Sequence, residues 1–340
     1  MSDAESEESS ESGEQPPAVS AAPYEKISCL GEGAFGAVWL ARCKSSGRHV
    51  ALKEVSRQLA DPALLVPERD LLRQVAEARE QGSWVSPALT GLVAAFTSAF
   101  AVSLAMDLVE GGNLLEHLKA EGRMPAFRVE RYGAEIASAL KWLHGAGWLY
   151  RDLKLSNVML SLSEESLGRV KLIDYGFAFR GLEASKAVGT LQTMAPEVIC
   201  CARAAWKEEL QLDFLPSSYG PTADWWSLGA LLFELLAGVP PFGHHDDVLL
   251  EGRQVLEAQL KGPEWPEDVS EAAKGAACGL LRLEPSQRRW EEVSFSEGPG
   301  LPVRGDLGFT VESAAAARLR PRRGAALPMA LEGPDPFEDW

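Results

Sequence analysis

The stretch "YRDLKLSN", residues 150–157, brings Asp152, Lys154 and Asn157 into one short loop between apolar runs. A carboxylate, an ammonium two positions on and an amide three further suit transfer of a highly charged group to a hydroxyl. Asp152 can orient that hydroxyl and accept its proton, Lys154 can offset charge on a moving phosphoryl, and Asn157 can bind a hard cation through oxygen. Asp174, in "VKLIDYG", ends an apolar run where a second metal ligand would complete the site. Taken singly, each could be a surface polar group; their order carries the reading. Upstream, "GEGAFGAV" sets Gly31, Gly33 and Gly36 between two predicted strands. Glycines let backbone N–H groups approach a phosphate closely, although a plain tight turn would use them too. A dinucleotide fingerprint would require a helix next, whereas "AVWLARC" reads as strand. Lys53, in "VALKEV", sits among apolar neighbours and needs a partner unless it snorkels to solvent; Glu68 is the candidate.

These residues need a frame. From Tyr24 the chain reads as short β-type runs, "YEKISCL", "AVWLARC" and "HVALKEV", with "KSSGR" turning between the last two. A charged helical segment, "VPERDLLRQVAEARE", follows, with Leu71, Leu72 and Val75 on one face. "LTGLVAAF" and "AVSLAMDLV" then lead into a hinge at "EGG". Beyond Gly112 the pattern is mostly helical: Val129, Tyr132, Ile136, Leu140 and Leu143 recur every three or four residues. "DWWSLGALLFELLAG" is apolar nearly all round and predicts a helix buried at the centre of a second lobe.

Composition limits the function. The 340 residues, 46% of them hydrophobic, suffice for one large domain or two lobes with real cores. A net charge of −16 argues against nucleic-acid or anionic-membrane binding as the main task, since both need a positive field. Part of that charge lies in residues 1–23, where Asp3, Glu5, Glu7, Glu8, Glu11 and Glu14 stand without a lysine or arginine; this reads as a disordered acidic leader. Five cysteines without zinc-ligand spacing or a disulfide framework suggest a reducing compartment. With no apolar run of membrane length and no cleavable leader, the expectation is a soluble cytoplasmic chain, nuclear access left open. Residues 296–340, rich in Pro, Gly, Ala and Arg, read as a tail.

On these motifs the chain resembles the eukaryotic protein kinase superfamily over about residues 24–295. The resemblance implies an α+β bilobal protein kinase fold, with a small antiparallel β-sheet lobe and one main helix (24–109) and a larger, mainly helical lobe (110–295). It implies ATP and Mg2+ as cofactors and protein substrates as partners, with an upstream activating kinase or regulatory partner to match. Asp152 would be the base, aided by Lys154, with Lys53 paired to Glu68 and with Asn157 and Asp174 on the metal. Leu30, Gly31, Glu32, Gly33, Gly36, Val38, Ala51, Lys53, Met106, Asp107, Val109, Asn113 and Met159 would line the nucleotide. Of these, Val38, Ala51 and Met159 would sandwich the adenine and Met106 would be the gatekeeper. Leu72, Leu92, Tyr150 and Tyr175 would stack as a spine, Glu197 of "APE" would pair with Arg288, and Asp224 would brace the catalytic loop. The apolar members would be core with or without a nucleotide. Tyr150 in place of histidine, "MDLVEGGNLLEHL" and "ADWWSLGALLFELLAGVPPF" are similar to the AGC group, which contains protein kinase A, and imply a serine/threonine kinase. The alternatives are a pseudokinase serving as a binding module and a small-molecule kinase of related fold.

The chain also departs from the group. Tyr175 replaces the usual phenylalanine and brings a hydroxyl that needs a partner. Asn113 and Ser156 stand where basophilic relatives carry acidic residues, although Glu234 is retained, which puts arginine-directed specificity in doubt. Lys186 occupies the place of the activating phosphothreonine, four residues before Thr190, while the clamping Arg151 is present; Ser185 is the candidate phosphosite. Between Glu197 and Asp224 the chain is longer than protein kinase A, and "CARAAWKEELQLDFLPSS", with Glu208, Glu209 and Asp213, reads as a solvated loop or a substrate- or partner-contacting element. The final "FEDW" is similar to a docking motif in which two aromatics, here Phe337 and Trp340, fold back onto the small lobe.

Overall fold

A computed structural model describes residues 23–33, 36–161, 168–243 and 251–288. The small lobe is an antiparallel sheet of β1 (Tyr24–Gly33), β2 (Gly36–Cys43), β3 (His49–Ser56), β4 (Leu92–Thr97) and β5 (Ala101–Met106), in the order β1-β2-β3-β5-β4. Val50, Leu52 and Val55 of β3 are buried, and the register sets Lys53 opposite Val38 on one side and Leu104 on the other. The predicted helix is α1 (Pro62–Glu80), which starts earlier than the charged segment that announced it. Asp61 caps it by accepting the Ala63 amide at 2.9 Å, and Pro62 takes the first-turn position that needs no amide hydrogen. Pro67 therefore lies inside the helix, where it forgoes one backbone bond. Leu65, Glu68, Leu71, Leu72 and Val75 form the buried face.

The run "LTGLVAAF" does not become one strand. Its first half crosses to the large lobe: Leu172 donates its amide to the Ala88 carbonyl at 2.6 Å, and Leu89 bridges Leu172 in parallel. Only from Leu92 does the chain join the sheet.

The large lobe is built on helices α2 (Leu114–Glu121), α3 (Ala126–Gly145), α4 (Pro196–Ala202), α5 (Ala205–Glu209), α6 (Pro221–Ala237), α7 (Gly252–Lys261) and α8 (Glu271–Leu280). Four short strands, β6 (Trp148–Leu149), β7 (Val158–Ser161), β8 (Arg169–Leu172) and β9 (Phe179–Arg180), pair β6 with β9 and β7 with β8 on the face toward the small lobe. Every residue of α6 from Ala223 to Ala237 is buried, as its all-round apolar sequence predicts. Gly229 permits the close crossing with α8, since a Cβ there would lie 2.9 Å from the Leu280 Cβ. One continuous core joins the lobes, running from Leu71, Leu72, Val75 and Leu104 through Tyr150 and Tyr175 into α3 and α6.

The long stretch after Glu197 is packed rather than a free loop. It contributes α5, and Leu212 and Leu215 are buried in a second core with Phe242, Val255 and Leu256. Its acidic residues Glu208, Glu209 and Asp213 remain exposed, with Glu209 paired to Arg253. Residues 1–22 of the acidic leader 1–23, Ala34 and Phe35, and the tail with Phe337 and Trp340 lie outside the described residues.

Candidate active site

The site lies where β3, α1 and the loops around β6–β8 meet. On β3, the Lys53 Nζ donates to both oxygens of Glu68, at 2.7 and 2.8 Å, and lies 3.3 Å from Asp174 Oδ1. Burial works against the Lys53 ammonium, but the two carboxylates outweigh it and hold its pKa above that of a free lysine. Burial would likewise raise Asp174; Lys53 first and then the Gly176 amide bring it below the ordinary carboxylate range, so it stays ionised. Gly176 is the residue that fits beside this cluster, because a Cβ there would stand 3.1 Å from Asp174 Oδ1.

On the large lobe, Asp152 is the hub of the loop. Its Oδ1 accepts from the Thr190 hydroxyl at 2.7 Å, and its Oδ2 accepts from Asn157 Nδ2 and lies 2.9 Å from Lys154 Nζ. Lys154 also donates to Thr190 Oγ1 at 2.9 Å. Asn157 spends its nitrogen on the Asp152 carboxylate and carbonyl, both at 2.9 Å, leaving its side-chain oxygen as the atom available to a cation. Two residues of the site hold left-handed backbone, Arg151 at φ 69° in this loop and Asp174 at φ 59° after β8, values that cost a non-glycine residue about 1–3 kcal/mol each. Asp224, at the start of α6, offsets this for the first by accepting the Tyr150 and Arg151 amides at 3.0 and 2.8 Å, and His144 Nε2 lies 2.8 Å from the same carboxylate.

The expected nucleotide-lining residues divide by what their surroundings use. Val38, Ala51, Met106 and Met159 lie on β2, β3, β5 and β7, and none is fully buried, unlike neighbours such as Leu52 and Leu104. Leu30 is half-buried on β1, Gly31, Glu32 and Gly33 are exposed, and Val109 is half-buried just after the sheet. A Cβ on Gly31 would meet nothing within 4 Å, which leaves the backbone open to a ligand there. Gly36 is different, since a Cβ would collide with the Glu54 carbonyl of β3; its glycine is required by the sheet. Asp107 spends its carboxylate on Arg48, Arg79 and the Gly91 amide, each at 2.9 Å, and its own amide on the Gly91 carbonyl at 3.1 Å, so its side chain is not available to a ligand. Asn113 caps α2, exchanging bonds with Glu116 at 3.0 and 3.1 Å.

Sequence reasoning missed Thr190 as a partner of Asp152, and Thr90 as the partner of Tyr175. The Tyr175 hydroxyl accepts the Thr90 amide at 3.0 Å and donates to the Leu172 carbonyl at 3.2 Å, and burial pushes its pKa up to about 12. Its ring packs edge-on against Tyr150 with centroids 5.8 Å apart, and Leu72 and half-buried Leu92 belong to the same core. Tyr175→Phe strands the buried Thr90 amide and is expected to cost about 1–3 kcal/mol in urea unfolding, with the stacking retained. A value near zero would mean the hydroxyl bonds contribute nothing.

A twisted antiparallel lobe with one bracing helix, facing a helical lobe that presents two carboxylates, an amide and a lysine, defines a protein kinase domain. The chain belongs to that family: the family described as "Protein kinase domain" matches residues 24–292. Among curated proteins it is 31% identical to the RAC-beta serine/threonine-protein kinase A of Xenopus laevis over 276 residues, 80% of this chain and 51% of that one. It is also 31% identical to the Homo sapiens RAC-beta serine/threonine-protein kinase over 269 residues (78% and 50%) and 32% identical to the Rattus norvegicus protein kinase C delta type over 271 residues (78% and 36%). These relatives are AGC kinases, the group to which the sequence motifs are similar. The chain spans about half the length of the RAC-beta relatives.

Proposed function

We propose that the chain is an ATP-dependent serine/threonine protein kinase acting on protein substrates. The observation that supports this most is the convergence of Thr190, Lys154 and Asn157 on Asp152, with the Lys53–Glu68–Asp174 cluster linked to it where Ile173, next to Asp174, donates to the Asn157 carbonyl at 3.0 Å. MgATP would supply the γ-phosphoryl group and the divalent charge that steadies it. Lys53, aligned by Glu68, would hold the α- and β-phosphates, and the open backbone at Gly31 and Gly33 would cover them. Asn157 and Asp174 offer oxygen donors only, and no cluster of three His, Cys, Asp or Glu exists among the described residues. Such a pair suits Mg2+, which binds through one or two protein groups plus substrate phosphates. Asp152 would accept the hydrogen bond of the substrate hydroxyl and take its proton, while Lys154 would offset the developing charge. Transfer of labelled γ-phosphate to a serine/threonine peptide library tests the reading; a pseudokinase would bind nucleotide without transfer.

A cytoplasmic location with access to the nucleus and an upstream activating or regulatory partner complete the reading. No described helix is long and apolar enough to cross a membrane. For the tail, Val55, Leu65 and Val102 form a small cluster separate from the main core, with half-buried Ala60 packed against it. Docking of Phe337 and Trp340 there would contribute roughly 2–4 kcal/mol before the entropy of ordering the tail. Deleting residues 337–340 is then expected to lower both Tm and kcat. Unchanged values for both would remove the tail from the account.

A further inference from the structure

We propose that the segment before Thr190 is held in its working position by the uncharged side chain of Tyr219, without phosphorylation. The inference rests on the kinase reading above and concerns how that site is kept assembled.

An Arg-rich clamp ordered by an added phosphate is the usual way to fix such a segment. In this chain the clamp is occupied. The Arg151 guanidinium donates to the Phe177 carbonyl at 2.6 Å and to the Tyr219 hydroxyl at 3.3 Å, and its plane lies over the Phe179 ring at 5.0 Å. The Tyr219 hydroxyl passes the connection on by donating to the Lys186 carbonyl at 2.6 Å. Burial raises the Tyr219 phenol and Arg151 offsets this only in part, so the hydroxyl keeps the proton it donates.

The backbone repeats the attachment. Ala184 and Tyr219 exchange both amide–carbonyl bonds, at 2.8 and 2.7 Å, and Ser218 donates to Glu183 at 2.7 Å. Ala184 and Tyr219 are both buried. At the other end, Gly189 lies so close to the catalytic loop that a Cβ would stand 2.3 Å from the Arg151 carbonyl. Thr190 follows directly and meets Asp152. The segment is thus tied at residues 183–186 to the end of the long stretch after Glu197 and at 189–190 to the loop that carries Asp152. The Lys186 tie uses the backbone carbonyl, which any residue at that position would supply. Tyr219 is therefore a positioning residue, acting on Asp152 through the segment.

The test uses the full chain, treated with a broad phosphatase and verified phosphate-free by mass spectrometry. Hydrogen exchange at the Ala184 and Tyr219 amides and peptide phosphorylation are measured before and after treatment. Protection of about 100-fold or more over an unstructured amide is expected in both states, with kcat changed by less than about 2-fold. Tyr219→Phe keeps the ring and is expected to lower kcat about 10- to 100-fold while leaving the ATP dissociation constant unchanged, since the misplacement falls on the acceptor side. Ser185→Ala and Lys186→Ala are expected to keep full activity. Loss of protection or of activity on dephosphorylation, dependence on Ser185, or a Tyr219→Phe protein with unchanged kcat would each overturn the inference. Retained protection with no transfer to any peptide, by a chain that binds ATP, would instead count against the kinase reading.

Discussion

Asp152→Ala is expected to lower kcat for peptide phosphorylation by about a hundred- to ten-thousand-fold, the range for loss of a positioned general base. The ATP dissociation constant should move little, because Lys53, Glu68 and Asp174 form their cluster without Asp152. A structural role for Asp152 predicts something else. If its carboxylate served only to gather Thr190, Asn157 and Lys154, the substitution would lower Tm and loosen nucleotide binding along with kcat. Thr190→Val separates the roles further. It removes one bond to Asp152 and one from Lys154 but leaves the carboxylate, so a loss of roughly 10-fold is expected, well short of that for Asp152→Ala. Equal losses for the two variants would assign the chemistry to the Thr190–Lys154 pair and displace Asp152 as the base.

The largest effect on stability is expected at Arg288. Its guanidinium is 0% exposed and faces Glu197, 1% exposed, in a two-pronged pair whose longer arm is 2.8 Å. It also donates to the carbonyls of Arg282, Leu283 and Thr222 at 2.8, 3.0 and 3.0 Å. Arg288→Met fits the space but strands a buried carboxylate, which costs about 3–5 kcal/mol. Glu197→Gln keeps the shape and one of the two acceptor oxygens, and the guanidinium retains its three backbone carbonyls, so its cost should be smaller. Double replacement by apolar residues should not restore the wild-type value, because three carbonyls would still lack their donor. Urea unfolding of the three variants checks the ranking. If Arg288→Met proved no worse than Glu197→Gln, the stranded charge would not be the cause.

Much of this was legible along the chain because the signals were local. The alternation in "HVALKEV" and the unbroken apolar face of "DWWSLGALLFELLAG" became β3 and α6, and Lys53, Glu68 and Asp174, distant along the chain, come together. What stayed hidden depends on distant partners. Thr190 reaches Asp152 across 38 positions and Thr90 reaches Tyr175 across 85, and neither threonine differs in its immediate neighbours from a surface hydroxyl. Leu212 and Leu215 sit among polar residues that resemble a solvated loop, and their burial depends on α7 and Phe242 arriving from later in the chain. The helix α1 begins before the charged segment because Asp61 and Pro62 form its cap and first turn, with Pro67 accommodated inside.

The Tyr175 hydroxyl carries a consequence for inhibitor chemistry. Compounds that gain affinity by displacing the side chain after Asp174 and occupying its pocket would have to draw a phenol away from the Thr90 amide and the Leu172 carbonyl, where a phenyl ring would slip out unopposed. Ligands confined to the proposed nucleotide site would leave those bonds intact, so this chain should discriminate between the two chemotypes more sharply than kinases with phenylalanine at that position.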